Sequence, residues 1–78
     1  MELLLKRITI NPDVCNSKPV IKGMRITAST ILEFLSAGET LEEILKQYPS
    51  LEKEDIAACL LFAAHRLNHH FTVKDLVA

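Results

Sequence analysis

Three stretches of this chain repeat apolar residues at spacings of three and four, and a fourth repeats them at every second position. Ala28, Ile31, Leu32 and Leu35 form the first stretch and predict a helix, since such spacing lines one face of a 3.6-residue turn. Thr27 or Ser29 can cap its start, and Gly38 stops it. Thr40 and Glu43 then stand at the two positions of a capping box. They open a second helix whose buried stripe is Leu41, Ile44, Leu45 and Tyr48, and which Pro49 ends. A third helix is predicted over residues 52–67. Leu51 and Ile56 are spaced as a hydrophobic staple across its start, and Asp55 suits the positive end of the helix dipole. This helix is apolar nearly all round from Ile56 to Ala64, so one part is assigned to the core and another to a subunit contact.

The alternation at residues 3–10 is imperfect, with Leu4, Ile8 and Ile10 on one parity and Leu5, Arg7 and Thr9 on the other. With β-branched residues at its end, it predicts a short strand. Asn11, Pro12 and Asp13 make a turn. Residues 16–19 are expected to stay extended, because Pro19 disfavours a helical Lys18. Val20 and Ile21 follow, then a Lys22-Gly23 turn, then a second extended piece over residues 25–27. The simplest arrangement pairs this region with residues 3–10, within the chain or across a dimer. A two-stranded ribbon is marginal alone and must lie on helices or on its twin. The predicted fold is mostly α: three helices (residues 28–67) behind a short N-terminal β arm (residues 1–27), with a C-terminal tail (residues 68–78) in which Thr72 and Asp75 form a weak cap.

Length changes this picture little, since 78 residues make one domain with a small core. Composition changes it more. Hydrophobic residues make up 49% of the chain, yet there are only three Phe, one Tyr and no Trp, so Leu, Ile, Val and Ala must build the core. The apolar surplus predicts a homodimer. No apolar run approaches the length of a membrane span, and two cysteines form no disulfide framework, so a soluble protein of a reducing cytoplasm is expected. A net charge of -1 argues against a generic nucleic-acid binder. Residues 1–25, however, hold five basic and two acidic side chains, and the remainder four and eight. Phosphate contact is therefore expected from the N-terminal third.

Candidate chemistry is sparse. His65 and His69 share a helix face and His70 adjoins them, but no cysteine or carboxylate pair accompanies them, so a helix C-terminal role outweighs a metal site. Cys59 sits among apolar neighbours, and Cys15 has no nearby base in sequence. With no phosphate loop, catalytic triad or carboxylate cluster, neither an enzyme nor a cofactor is predicted. The tight connection at Pro49, Ser50 and Leu51 resembles that of a helix-turn-helix. The helix after it opens with Glu52, Glu54 and Asp55, which repel phosphate, so assembly is favoured over base readout.

The run from Asn11 to Thr27, with K-P-V-I-K-G-M-R-I at its centre, is followed by A-G-E-T-L-E-E-I-L-K-Q-Y-P-S-L and E-D-I-A-A-C-L. In order and spacing it resembles the small prokaryotic family catalogued as domain of unknown function 433, DUF433, over residues 8–67. Lys18, Pro19, Gly23, Arg25, Ile26, Gly38, Glu43, Tyr48, Pro49, Glu54, Asp55 and Ile56 match the family pattern. Ser17 stands where glycine is usual, Met24 where threonine is usual, and Glu52 where a Ser or Thr cap is usual. The resemblance implies a homeodomain-like helix-turn-helix with a β arm, commonly dimeric, in which Pro19, Gly23, Gly38 and Pro49 are structural. It also implies an antitoxin that neutralises a PIN-like ribonuclease encoded next door and can repress its own operon. On that reading Arg66, Phe71, Lys74 and Leu76 bind the toxin. On the alternative, a DNA-binding regulator without a toxin, Lys18, Lys22 and Arg25 hold phosphates.

Overall fold

Where the alternation predicts one N-terminal strand, the computed structural model has one turn of helix followed by a short strand. The structure describes residues 2–13 and 15–70. Helix α1 spans Glu2–Leu5 and strand β1 only Ile8–Ile10. Leucine is a strong helix former, and the Arg7 N–H closes the turn by donating to the Leu4 carbonyl at 3.0 Å. Packing of α1 on the last helix completes what the alternation misses.

Strand β2, Pro19–Ile21, pairs antiparallel with β1 in the same chain, with Ile8 opposite Ile21, Thr9 opposite Val20 and Ile10 opposite Pro19. Pro19 sits at the first strand position, where a missing N–H does least harm. The expected extension of residues 16–19 fails just before it. Cys15–Ser17 form a tight helical turn, with Asn16 and Ser17 at φ of 55° and 66°. Pro19 restricts only the residue before it, so these two left-handed residues escape its influence. After β2, the Met24 N–H donates to the Ile21 carbonyl across a turn in which Gly23 takes φ +79°. The chain then folds back, bridging Thr27 to Val20.

The helices start and stop where their caps lie. In α2, Ala28–Ser36, the Thr27 hydroxyl accepts from the Thr30 N–H at 3.1 Å. The helix ends in a Schellman arrangement: Glu39 N–H donates to Phe34 O, Gly38 N–H to Leu35 O, and Gly38 has φ +94°. Helix α3, Leu41–Gln47, opens on the complete Thr40–Glu43 capping box. The Glu43 carboxylate accepts from the Thr40 N–H at 2.8 Å, which holds its pKa below the ordinary 4.5. Because the folded value is depressed, this stabilisation is present above the unfolded pKa and is lost as pH falls through the folded one. An NMR titration of the Glu43 carboxyl should therefore give a midpoint below 4.5. In Thr40→Ala the helix should weaken by about 1 kcal/mol, readable by chemical denaturation.

Helix α4 spans Lys53–His70, past the predicted end at residue 67 and into what the sequence assigns to the tail. Its N-terminal half covers the core. Ile21, Ala28, Ile31, Ile44, Leu51, Ile56 and Cys59 form one buried cluster, drawn from β2, α2, α3, α4 and the connection before α4. Leu51 and Ile56, the staple pair, both belong to it. Phe34 and Tyr48 close one side with rings 6.0 Å apart. Leu41 departs from its predicted stripe and is 39% exposed, whereas Ile44 is fully buried. Burial pushes the Cys59 thiol up to about 11. In native protein an alkylating reagent should leave the Cys59 peptide unmodified, and labelling should appear only on unfolding, as read by peptide mapping.

Candidate functional site

Arg7 leaves α1 and enters β1 pointing toward the start of α4. Its Nη1 donates to Glu52 Oε1 at 2.9 Å and to Asp55 Oδ1 at 3.0 Å, across 45 and 48 residues of sequence. Asp55 is 5% exposed, and its second oxygen accepts from the Glu52 N–H at 2.9 Å. One carboxylate thus caps α4 and ties the N-terminal segment to it. Both carboxylates hold Arg7 firmly protonated. Lys22 joins from the hairpin turn, its N–H donating to the Arg7 carbonyl at 2.7 Å.

Around this clamp lies a cleft of about 320 Å³ lined by Lys6, Arg7, Lys22, Met24, Ser50, Glu52 and Asp55. The two sequence stretches singled out above, the K-P-V-I-K-G-M-R-I run and the connection into α4, therefore face each other across one space. Met24 is also shared with a smaller cleft of about 240 Å³, lined by Thr9, Asn11, Val20, Gly23 and Arg25. The Met24 side chain packs against the core cluster and lines both spaces.

The electrostatics of the α4 start differ from the sequence expectation. Asp55 is buried and Glu52 exposed, and Arg7 pairs with both, so neither is a bare repulsive charge. Arg7 is in turn withdrawn from the basic residues available for phosphate. Lys18, Lys22 and Arg25 are all exposed on the hairpin segment, but Lys22 lines the larger cleft and Arg25 the smaller, so the three do not converge on one point. Lys6 is the additional cation beside Lys22 that sequence reading left unassigned. Arg7 was equally illegible, since nothing within a few residues of it marks a partner in α4.

Arg66 lies on the far half of α4, its guanidinium 5.9 Å from the centroid of the Phe62 ring. Phe71, Lys74 and Leu76, and the predicted cap at Thr72, fall outside the described residues. Pro19, Gly23, Gly38 and Pro49 occupy a strand start, a positive-φ turn, a helix stop and the connection into α4. No group of three or more potential metal-ligating side chains gathers among the described residues. Among them, too, no helix is long and apolar enough to cross a membrane.

A third space, about 500 Å³ and almost wholly apolar, opens between α1, α2, α3 and α4. Leu4, Leu35, Leu41, Ile56, Ala57 and Leu60 line it, with Lys53 and Glu54 at its rim.

A family model described as "Protein of unknown function (DUF433)" matches residues 8–63. An uncharacterized protein of Sinorhizobium fredii, y4eO, is 30% identical over 56 residues, which is 72% of this chain and 25% of that protein. The chain thus spans about a quarter of the length of this curated relative. A crystal structure of a DUF433 member from Anabaena variabilis superposes with a TM-score of 0.77 at 28% identity, covering 87% of this chain and 67% of that one.

Proposed function

We propose, for a chain that belongs to the DUF433 family, the function of a cytoplasmic antitoxin that neutralises a PIN-like ribonuclease by protein–protein binding. The observation that supports this reading is the length of α4. Its last fully buried residue is Cys59, and 64–68 are all exposed, so its second half extends beyond the core it helps to build. Half a helix without tertiary packing contributes little to its own stability in water. Such a projection serves binding better than folding, and it carries Arg66 and leads into Phe71, Lys74 and Leu76.

A nuclease site built from acidic residues and a metal is blocked by a cation delivered on a helix, because the guanidinium competes for the same carboxylates. Arg66, held over Phe62, suits that role. The test is co-expression with the product of the adjacent reading frame. A co-purifying complex and restored growth are expected, and Arg66→Glu should abolish both while leaving the far-ultraviolet circular dichroism unchanged. Failure of the two proteins to associate, or an adjacent product that is not toxic, would end this reading.

The hairpin supports a second reading, a helix-turn-helix regulator in which Lys18, Lys22 and Arg25 hold phosphates and the α3–α4 pair approaches the groove. Because phosphate binding releases counterions, affinity for upstream DNA should fall steeply with salt. A gel-shift titration at two salt concentrations reads this, and no binding at the lower one removes it.

A further inference from the structure

Three cations border the larger cleft, and they differ in how they are held. Arg7 is paired with Glu52 and Asp55, whereas among the described residues neither Lys6 nor Lys22 has a carboxylate within ion-pair distance. Both lysines are exposed, and their backbones are fixed beside Arg7. Lys6 precedes it in the chain, and the Lys22 N–H donates to the Arg7 carbonyl at 2.7 Å. Ser50 brings a hydroxyl from the connection into α4, and Met24 adds an apolar wall. At about 320 Å³ the space falls within the range of about 300–1,000 Å³ typical of small-molecule sites.

The two partners of Arg7 are unequal. The Asp55 side chain is 7% exposed and also accepts the Glu52 N–H, so it is fixed. The Glu52 side chain is 68% exposed, and an ion pair so open to water is worth little. Arg7 is therefore held permanently on one side and exchangeably on the other. Both bonds come from Nη1, which leaves the Nε and Nη2 donors of the guanidinium to spare.

We propose that this cleft binds a phosphate monoester, whose phosphoryl group displaces the Glu52 carboxylate from Arg7 and is held by Arg7, Lys6 and Lys22. Glu52 Oε1, 2.9 Å from Arg7 Nη1, marks the position that one phosphoryl oxygen takes. Charge selects the ligand. With Glu52 turned out to solvent, Lys6, Arg7 and Lys22 stand against Asp55 alone, three positive charges to one negative. A phosphate monoester is close to a dianion at pH 7 and balances them, whereas a phosphodiester or a single carboxylate carries one charge. The guanidinium fork suits phosphoryl oxygens, the lysines add point charges, and the organic part of the ester lies on Met24. Lys18 and Arg25 do not line this cleft, so Lys22 alone is common to it and to the DNA-binding reading.

A ¹⁵N NMR titration of the full chain with phenyl phosphate, at constant ionic strength, tests the site. Saturable shifts of the Arg7, Lys22 and Ser50 amides are expected, with a Kd of about 1 mM or lower. Lys6→Ala and Lys22→Ala should each weaken binding about three- to tenfold, and Lys18→Ala should leave it unchanged. Glu52→Ala should tighten binding about threefold, because it removes the competing carboxylate. A clamp that serves the fold alone does not give that sign. All four side chains are exposed, so the variants should keep the far-ultraviolet circular dichroism of the wild type. No saturation at about 20 mM phenyl phosphate overturns the proposal, as do equal shifts with sodium chloride or succinate. A folded Glu52→Ala chain that binds no tighter than wild type overturns it too, and so does a Lys18→Ala loss as large as that of Lys6→Ala.

Discussion

Asp55→Ala should lower the stability of this domain by about 2–4 kcal/mol, and its melting temperature by about 10–20 °C. One side chain performs two tasks here. Its Oδ2 accepts the Glu52 N–H that α4 leaves unsatisfied, and its Oδ1 accepts from Arg7 at the other end of the fold. Loss of a helix cap alone costs about 1 kcal/mol. The remainder comes from leaving Arg7 without its buried partner, reduced because the Arg7 side chain is 35% exposed and can turn to water. Asp55→Asn retains an acceptor for the Glu52 N–H but loses the charge, so it should fall between wild type and Asp55→Ala. Glu52→Ala should change stability by no more than about 0.5 kcal/mol, because a carboxylate that is 68% exposed gains little from an ion pair. Guanidinium denaturation of the three variants measures the order. A Glu52→Ala loss as large as that of Asp55→Ala would show that the clamp works through charge rather than through the cap.

Ile31→Ala should be the more damaging substitution still, at about 3–5 kcal/mol. Ile31 is 0% exposed at the centre of a cluster assembled from every major element, so truncation leaves a cavity that several backbones would have to move to fill. A domain of this length has only about 4–12 kcal/mol of total stability. The variant should therefore be partly unfolded at 37 °C, as seen in its amide NMR spectrum. Leu41→Ala supplies the contrast. Spacing puts Leu41 on the same predicted stripe as Ile44, yet it is 39% exposed at the groove, so about 1 kcal/mol or less is expected. If Leu41→Ala and Ile31→Ala unfold at the same denaturant concentration, the core is centred elsewhere than on Ile31 and Ile44.

Membership of the DUF433 family bears on these effects as well as on function. Pro19, Gly23, Gly38 and Asp55 all match the family pattern, and in this structure they start a strand, turn a hairpin, stop a helix and cap the next but one. Met24 packs against the core cluster and lends apolar surface to both polar clefts.

Local features were read correctly from the residues. Thr27, Thr40 with Glu43, the Leu51–Ile56 staple, Gly38 and Pro49 each act within a few positions of themselves, so their effects depend on sequence neighbours rather than on distant contacts. The misreadings have a common form. Residues 2–5 carry leucines that suit a helix or a strand, and only contact with α4 selects the helix. Asn16 and Ser17 adopt left-handed angles that the proline two or three residues on does not forbid.

What the amino-acid order determined by itself was therefore the three longer helices behind a short hairpin, with their starts and the stops of the first two. What only the tertiary structure decided was which distant groups meet. Arg7 finds Asp55 across 48 residues, Lys22 faces Ser50 across a cleft, and one stripe of α4 is left uncovered while its opposite side fills the core. The physical reason is range: caps, turns and helical spacing act over about one turn of chain, whereas ion pairs and burial depend on distances in space that no local pattern encodes.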